Sequence, residues 1–231
     1  MPDGDRSELD PTTPGRPDDD ALAAAASLRL IREQQERARA GTEPDSRLLC
    51  AVWGLAWLVG YGLLWFSAAR RDDIPAAWAF VGFGLCLVAA MVTTIAHSVS
   101  RTLGTRGTSS RTGTMYGFSW ALGFAAYGVV IGGIAESGAS DEVIAQAANA
   151  LACIVVGLLY LGGGACFDSR GLYLLGVWIL VVAAAATFAG IPETYLVMSV
   201  AGGGGFLVLA LLEHLRLRRR RRAPHEEVDR A

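Results

Sequence analysis

Six long stretches without a charged side chain dominate this sequence. The first, Leu48–Ser67, has no Asp, Glu, Lys or Arg, and Arg47 and Arg70 flank it closely. A helix rises about 1.5 Å per residue, so a helix of this length covers the roughly 30 Å hydrocarbon layer of a bilayer. Backbone at membrane depth must satisfy its own hydrogen bonds, and a spanning segment of this kind is therefore helical. We predict a membrane-spanning helix here.

Five further apolar runs have similar length, and none of the eight prolines of the chain falls inside a run. The composition agrees, because 18% of the residues are charged, whereas soluble domains have about a quarter. The sequence thus predicts an all-α fold, a polytopic membrane helix bundle with six transmembrane helices in residues 48–215. Five spans are the alternative, if one short hairpin is re-entrant. The further runs are 76–98, 114–135, 143–167, 171–190 and 194–212.

Arginine is distributed unevenly among the segments between the runs. All 20 basic residues are Arg. With the N-terminus inside, fifteen of them lie beside the membrane on the inner side, and only Arg70 and Arg71 lie in the outer loops. Positive residues in short loops stay on the cytoplasmic side. We therefore predict an N-in/C-in, multi-pass protein of the cytoplasmic (plasma) membrane.

The segments outside the spans have distinct compositions. Residues 1–20 contain seven acids and four prolines, which predicts a disordered acidic tail. Residues 21–40 consist of strong helix formers with an Arg29/Glu33 pair four residues apart, which predicts a cytoplasmic juxtamembrane helix. Residues 216–231 begin with seven residues of which six are Arg. They predict a basic cytoplasmic tail that attracts anionic lipids.

The helix predicted at 21–40 has two interpretations. Its thin apolar stripe suits a solvated helix that packs loosely on its own bundle. It also suits a docking helix for a cytoplasmic protein partner or for lipid headgroups. A homo-oligomer is a further expectation for the bundle, and no nucleic-acid partner is expected.

Small residues and aromatic residues form separate stripes on two of the spans. Small residues let transmembrane helices approach closely, so we expect a neighbouring helix along the stripe of the third span. Aromatic stripes at helical spacing indicate packing or lipid-facing surfaces. The small-residue stripe is Gly113, Gly117, Ala121 and Ala125, with Gly128 and Gly132 as a second pair further out, and the aromatic stripes are Trp53, Trp57, Tyr61 and Trp65 in the first span and Tyr116, Trp120 and Phe124 in the third.

Few polar residues fall at membrane depth, and they define a candidate solute path. Gln146 and Asn149 are three residues apart and share a helix face. Ser199 precedes the glycine run 202–205 in the sixth span. Such a run either opens the backbone toward a solute or lets a neighbouring helix press against it. The candidate path is Gln146, Asn149, Ser199, Gly202 and Gly203.

Motifs for chemistry are missing from the sequence. No phosphate-binding loop, metal-ligand spacing or nucleophile elbow occurs, and the four cysteines, which form no C-x-x-C pair, suit small core residues. We therefore expect no enzyme activity, no cofactor and no metal. No Asp, Glu or Arg lies inside any run, which argues against strong ion coupling.

Three segments carry a resemblance to known proteins: LRLIREQQ before the first span, VWGLAWLVGYG within it and MYGFSW in the third. With these segments the chain resembles small, uncharacterised actinobacterial membrane proteins, some of them labelled transporters on topology alone. The resemblance implies a six-helix membrane protein and no site residue. Two functions follow as hypotheses. One is a passive or weakly coupled permease for a small neutral solute, and the other is a non-transporting membrane component that recruits or regulates a partner through helix 21–40 and the basic loops.

Overall fold

The computed structural model describes residues 25–34, 45–71, 74–102 and 108–228. The chain divides into two compact units, Met1–Glu43 and Pro44–Ala231. In the first unit, residues 25–34 form helix α1, and Arg29 pairs with Glu33 at 3.1 Å, as their spacing predicts. The acidic tail predicted at 1–20 and both ends of the helix predicted at 21–40 lie outside the described residues.

The second unit consists of helices that follow the six apolar runs. Its last apolar run is one uninterrupted helical segment made of α7, a π-helical segment and the start of α8, which we call the sixth span. Six segments of the unit are long and apolar enough to cross a membrane, and the described residues contain no strand. The predicted all-α membrane bundle is therefore confirmed. The elements are α2 (Ser46–Ala69), α3 (Ala77–Thr102), α4 (Thr108–Glu136), α5 (Asp141–Cys166), α6 (Arg170–Ala189), α7 (Glu193–Val197), the π-helical segment Met198–Gly203 and α8 (Gly204–Val228).

The two ends of the bundle carry different charges, and polar side chains start several helices there. Asp45 caps α2, Ser140 caps α5 and Ser169 caps α6, each by accepting a hydrogen bond from a backbone N–H of the first turn. We call the end at which α2 and α6 begin the basic end and the opposite one the acidic end. The basic end carries Arg47, Arg111, Arg170, Arg216 and Arg218 together with the acids Asp45, Asp168 and Glu213. The acidic end carries Glu136, Asp141, Glu142 and Glu193 together with Arg70 and Arg71.

The core of the bundle lies among α2, α5, α6 and the sixth span. Helix α2 packs against the sixth span, the sixth span against α6, and α6 against α5 along much of its length. In the described residues α3 packs mainly on α2, and α4 packs mainly on α5. The largest side chains at the centre include Leu64, Ile179, Met198 and Phe206, all at most 2% exposed.

No helix of the described residues packs along the stripe of small residues on α4, so the prediction of a neighbouring helix there is wrong. All six of its members are exposed, and no described atom lies within 4 Å of a Cβ placed on Gly113, Gly117, Gly128 or Gly132. Helix α4 instead packs on α5 through Gly123, whose added Cβ would lie 2.9 Å from Val155. The aromatic ridge accompanies this contact, because the Tyr116 hydroxyl donates to the Leu159 carbonyl at 3.1 Å.

Side chains from three helices meet at the basic end and hold the start of α2. The backbone N–H of Asp45 donates to Nε2 of His97 at the end of α3, at 3.0 Å. The Ser46 hydroxyl donates to the Glu213 carboxylate of α8. The first turn of α2 is thus tied to both of its neighbours.

Candidate functional site

Three residues of the predicted path lie where the sixth span crosses α2. Ser199, Gly202 and Gly203 belong to the π-helical segment. The Ser199 hydroxyl donates to the Leu58 carbonyl at 2.7 Å, and a Cβ on Gly203 would lie 2.7 Å from the Leu58 nitrogen. Gly203 therefore allows close contact between the two helices, as the packing interpretation of this run expects. The Ala201 carbonyl in the same segment accepts a hydrogen bond from the Trp178 indole at 2.9 Å.

Gln146, the fourth predicted residue, is directed toward a different helix. Its Nε2 atom donates to the Thr187 carbonyl of α6 at 2.5 Å. Gln146 therefore bonds across the α5–α6 interface, whereas the three residues of the π-helical segment face α2. The structure does not bring Gln146 together with them.

Asn149, the fifth residue, is linked to α2 by a buried side-chain hydrogen bond. The Tyr61 hydroxyl donates to its Oδ1 atom at 2.8 Å, across 88 positions of the chain. Asn149 is 8% exposed and Tyr61 is 5% exposed. The bond joins the two core helices α2 and α5 inside the apolar part of the bundle, where a polar pair of this kind is costly unless it is satisfied.

The amide nitrogen of Asn149 has no such partner. Every side-chain nitrogen or oxygen that is shut off from the surface in the described residues has a hydrogen-bond partner. The Nδ2 atom of Asn149 makes no hydrogen bond to the described part of the chain, so it must reach accessible surface. Asn149 therefore presents an N–H donor from a side chain that is otherwise more than nine-tenths buried.

Two further tyrosines lie near Tyr61. Tyr127 of α4 lies near Tyr61 and Cys153, and the ring of Tyr195 in α7 stacks beside Tyr61 with centroids 6.5 Å apart. Neither hydroxyl bonds to another described residue, so by the same reasoning both reach accessible surface. We call Tyr61, Tyr127, Asn149 and Tyr195 the tyrosine–amide cluster.

The depth of the cluster follows from its positions along the helices. Tyr61 lies about four residues after the middle of α2, and Asn149 lies about four residues before the middle of α5. Because α2 ends and α5 begins at the acidic end, both residues are displaced toward that end. At about 1.5 Å per residue this places them about 5 to 7 Å from the middle of the bundle. The cluster therefore lies in the half of the membrane that the arginine distribution predicts to be the outer one.

A continuous set of aromatic rings separates the cluster from the basic end. Trp57 packs edge-on to Phe206 with centroids 5.3 Å apart, Phe206 to Tyr160 at 5.9 Å, and Tyr160 to Trp120 at 5.6 Å. We call these four residues the aromatic layer. Gly202 lies behind it, since a Cβ there would lie 2.9 Å from the Trp57 ring. Trp57 of this layer therefore meets the sixth span at the π-helical segment.

Three members of the cluster, Tyr61, Tyr127 and Tyr195, are missing from the path predicted by sequence. Tyr61 belongs to an aromatic stripe, and its ring contacts the rings of Trp57 and Phe83, as a packing role predicts. A signal was present for Tyr61, because a buried tyrosine hydroxyl usually finds a hydrogen-bond partner. The sequence alone does not indicate which of the few polar residues supplies it.

These features define the class of the protein, which is a multi-pass integral membrane protein with a polar cluster inside its helix bundle. Comparison of the chain with family models, with curated proteins and with solved structures finds no match. Among the described residues, no group of three or more His, Cys, Asp or Glu side chains is arranged to hold a metal ion. The tyrosine–amide cluster is the candidate functional site.

Proposed function

We propose that this protein is a passive permease for a small neutral solute, which binds at the tyrosine–amide cluster. The observation that carries the proposal is the accessible, unpartnered N–H group of Asn149 in a side chain that is 8% exposed. A buried polar group in a membrane bundle is normally bonded within the protein. A solute that accepts this hydrogen bond gives the amide its missing partner.

The charge pattern supports a neutral solute and passive movement. No Asp, Glu, Lys or Arg lies inside any of the six apolar runs. Ion-coupled transporters and pumps place titrating or charged side chains in the membrane. A cluster built from one amide and three phenols instead offers hydrogen bonds and ring faces, which suit an uncharged molecule.

Passage from the cluster to the basic end requires the aromatic layer to open. The π-helical segment lies beside Trp57 and contains Ser199, Gly202 and Gly203. A π-helical turn inside an α-helix is frequent at functional sites, and glycines weaken a helix by about 1 kcal/mol each relative to Ala. We infer that this segment moves when a solute passes, which assigns these three predicted path residues to the gate rather than to the binding site.

The test is solute flux into proteoliposomes of the purified protein, followed by light scattering with glycerol, urea and acetamide as probes. We expect at least one probe to enter faster than it enters protein-free vesicles, and the Asn149→Leu variant to lose this excess. Ser119→Leu is the matched control, because Ser119 lies on the exposed face of α4 and bonds only to its own helix at Met115. It should transport like the wild type.

Two results would contradict the proposal. One is the absence of flux above protein-free vesicles for all three probes, and the other is unchanged flux in Asn149→Leu. The first result would favour the alternative function, a non-transporting component that recruits or regulates a partner through residues 21–40 and the basic loops. Co-purification of a stoichiometric partner that is lost on deletion of residues 1–40 would then support that alternative.

A further inference from the structure

The Tyr61 side chain is held in one position by rings on three helices. Its ring lies 5.5 Å from Trp57, 4.7 Å from Phe83 and 6.5 Å from Tyr195, measured between centroids. Phe83 is itself seated over Gly60, where an added Cβ would lie 2.3 Å from the Phe83 ring. The hydroxyl of Tyr61 therefore has a fixed location between α2 and α5.

The direction of the Tyr61–Asn149 hydrogen bond follows from the acceptors in reach. The Tyr61 hydroxyl is buried, so its proton must be donated to a group within the protein. The Asn149 Oδ1 atom, at 2.8 Å, is a strong acceptor, whereas the Cys153 sulfur beside the same hydroxyl is a weak one. Donation to Oδ1 leaves Nδ2 on the accessible side of the amide.

We propose that Tyr61 is the specificity-determining residue of the cluster. The Tyr61 proton holds Oδ1 toward α2 and leaves Nδ2 as the accessible atom of Asn149. The amide thus presents its N–H group, so the cluster takes a neutral solute through a hydrogen-bond acceptor such as a carbonyl oxygen. Tyr127 and Tyr195 do not set this preference, because a phenol hydroxyl both donates and accepts. This inference rests on the proposed function and names the chemical class of its solute.

Two ring compounds of similar size separate acceptor from donor recognition. Cyclopentanone accepts a hydrogen bond and donates none, whereas pyrrole donates one through its N–H and has no comparable acceptor. Their binding to the protein in nanodiscs is measured by saturation-transfer NMR, with empty nanodiscs as the reference for partition into lipid. We expect the wild type to prefer cyclopentanone about fivefold, the ratio that one net hydrogen bond of about 1 kcal/mol provides.

The Tyr61→Phe variant keeps the ring and removes the proton that orients Asn149. The amide can then rotate and present Oδ1, so the preference for cyclopentanone should fall to about equal binding of the two probes. The matched Tyr127→Phe variant should weaken both probes and retain the preference, because the Tyr61–Asn149 bond remains. Size-exclusion chromatography in detergent verifies that each variant is folded.

The outcomes separate this inference from the proposed function. A wild-type preference for pyrrole, equal binding of the two probes, or a preference retained in Tyr61→Phe would overturn the role of Tyr61 while leaving solute flux through the bundle in place. Binding of neither probe to the wild type above empty nanodiscs would overturn the inference and the assignment of the cluster as a binding site. If Tyr61→Phe fails to fold, the relative binding of the two probes to the wild type still tests the inference on its own.

Discussion

Gly203 of the sixth span lies directly against the backbone of Leu58 in α2. A Cβ on Gly203 would lie 2.7 Å from the Leu58 nitrogen and 3.0 Å from the Gly54 carbonyl oxygen. Backbone atoms inside a helix cannot move aside as the end of a flexible side chain can. Helices in lipid associate through such close contacts because no hydrophobic drive brings them together.

Replacement of Gly203 should therefore destabilise the bundle, whereas replacement of the next residue, Gly204, should not. We expect Gly203→Ala to lower the free energy of unfolding by about 1 to 3 kcal/mol, the usual cost of overpacking. Gly204→Ala is the matched control, because no described atom outside its own helix lies within 4 Å of a Cβ there. Thermal unfolding in detergent measures both, and equal midpoints would contradict the close contact with α2.

A second pair of variants tests which face of α4 is packed. A Cβ on Gly123 would lie 2.9 Å from a Val155 methyl group, whereas Gly117 has open space. Gly123→Leu should separate α4 from α5 and lower the unfolding midpoint, and Gly117→Leu should leave it unchanged. A larger loss in Gly117→Leu would mean that another helix covers the small-residue stripe.

The cap of α2 predicts a pH dependence of stability. The Asp45 carboxylate accepts the Arg47 N–H at 3.0 Å and pairs with its guanidinium at 2.6 Å. The side-chain hydrogen bond from Arg47 is the main cause that lowers the pKa of Asp45 from its ordinary value. A carboxyl group with a lowered pKa in the folded state stabilises the fold above its unfolded pKa of about 3.9. This contribution is lost as the pH falls through the lower, folded pKa.

Asp45→Ala should thus lower the free energy of unfolding by about 1 kcal/mol at pH 7. The difference from the wild type should shrink as the pH is lowered below about 4. Asp45→Asn keeps a capping oxygen that does not titrate, so its stability relative to Ala should stay constant with pH. Thermal unfolding at pH 7 and in steps to pH 3 measures these stabilities. A stability difference between the wild type and Asp45→Ala that does not change with pH would contradict the prediction.

The aromatic layer should limit solute flux. Trp57 is 5% exposed and packs edge-on against both Tyr61 of the tyrosine–amide cluster and Phe206. Trp57→Leu replaces the indole ring by a smaller side chain, so we expect flux of the transported probe to rise several-fold in proteoliposomes. Trp78→Leu is the control, because Trp78 is exposed on α3, and it should have wild-type flux. Reduced or unchanged flux in folded Trp57→Leu would show that the layer does not limit passage.

The spans could be predicted from sequence because hydropathy is a local property of the chain. The first predicted span, Leu48–Ser67, lies within α2, Ser46–Ala69. The partner of each helix is not local, and this is why the prediction for the small-residue stripe of α4 is wrong. Small residues permit a close neighbour, but the Tyr116 hydroxyl and Gly123 determine which face meets α5.

The candidate site could be predicted only in part, because residue types are visible in the sequence whereas contacts between distant residues are not. Asn149 stands out in sequence as a rare amide in an apolar run, and the structure places it at the cluster. Tyr61 does not stand out, because packing rings and ligand-binding rings have the same spacing along a helix. Their relationship depends on a contact between residues 88 positions apart, which no local pattern encodes.

The most direct test of the account is the sidedness of two loops, since every depth assigned above assumes six crossings. Cysteine variants Ser137→Cys, in the turn between α4 and α5, and Arg218→Cys, near the end of the sixth span, are separated by three crossings. A membrane-impermeant maleimide should label Ser137→Cys in intact cells and Arg218→Cys only after permeabilisation. Labelling of both variants in intact cells, or the reverse pattern, would contradict the account. The background for both variants replaces the native cysteines Cys50, Cys86, Cys153 and Cys166.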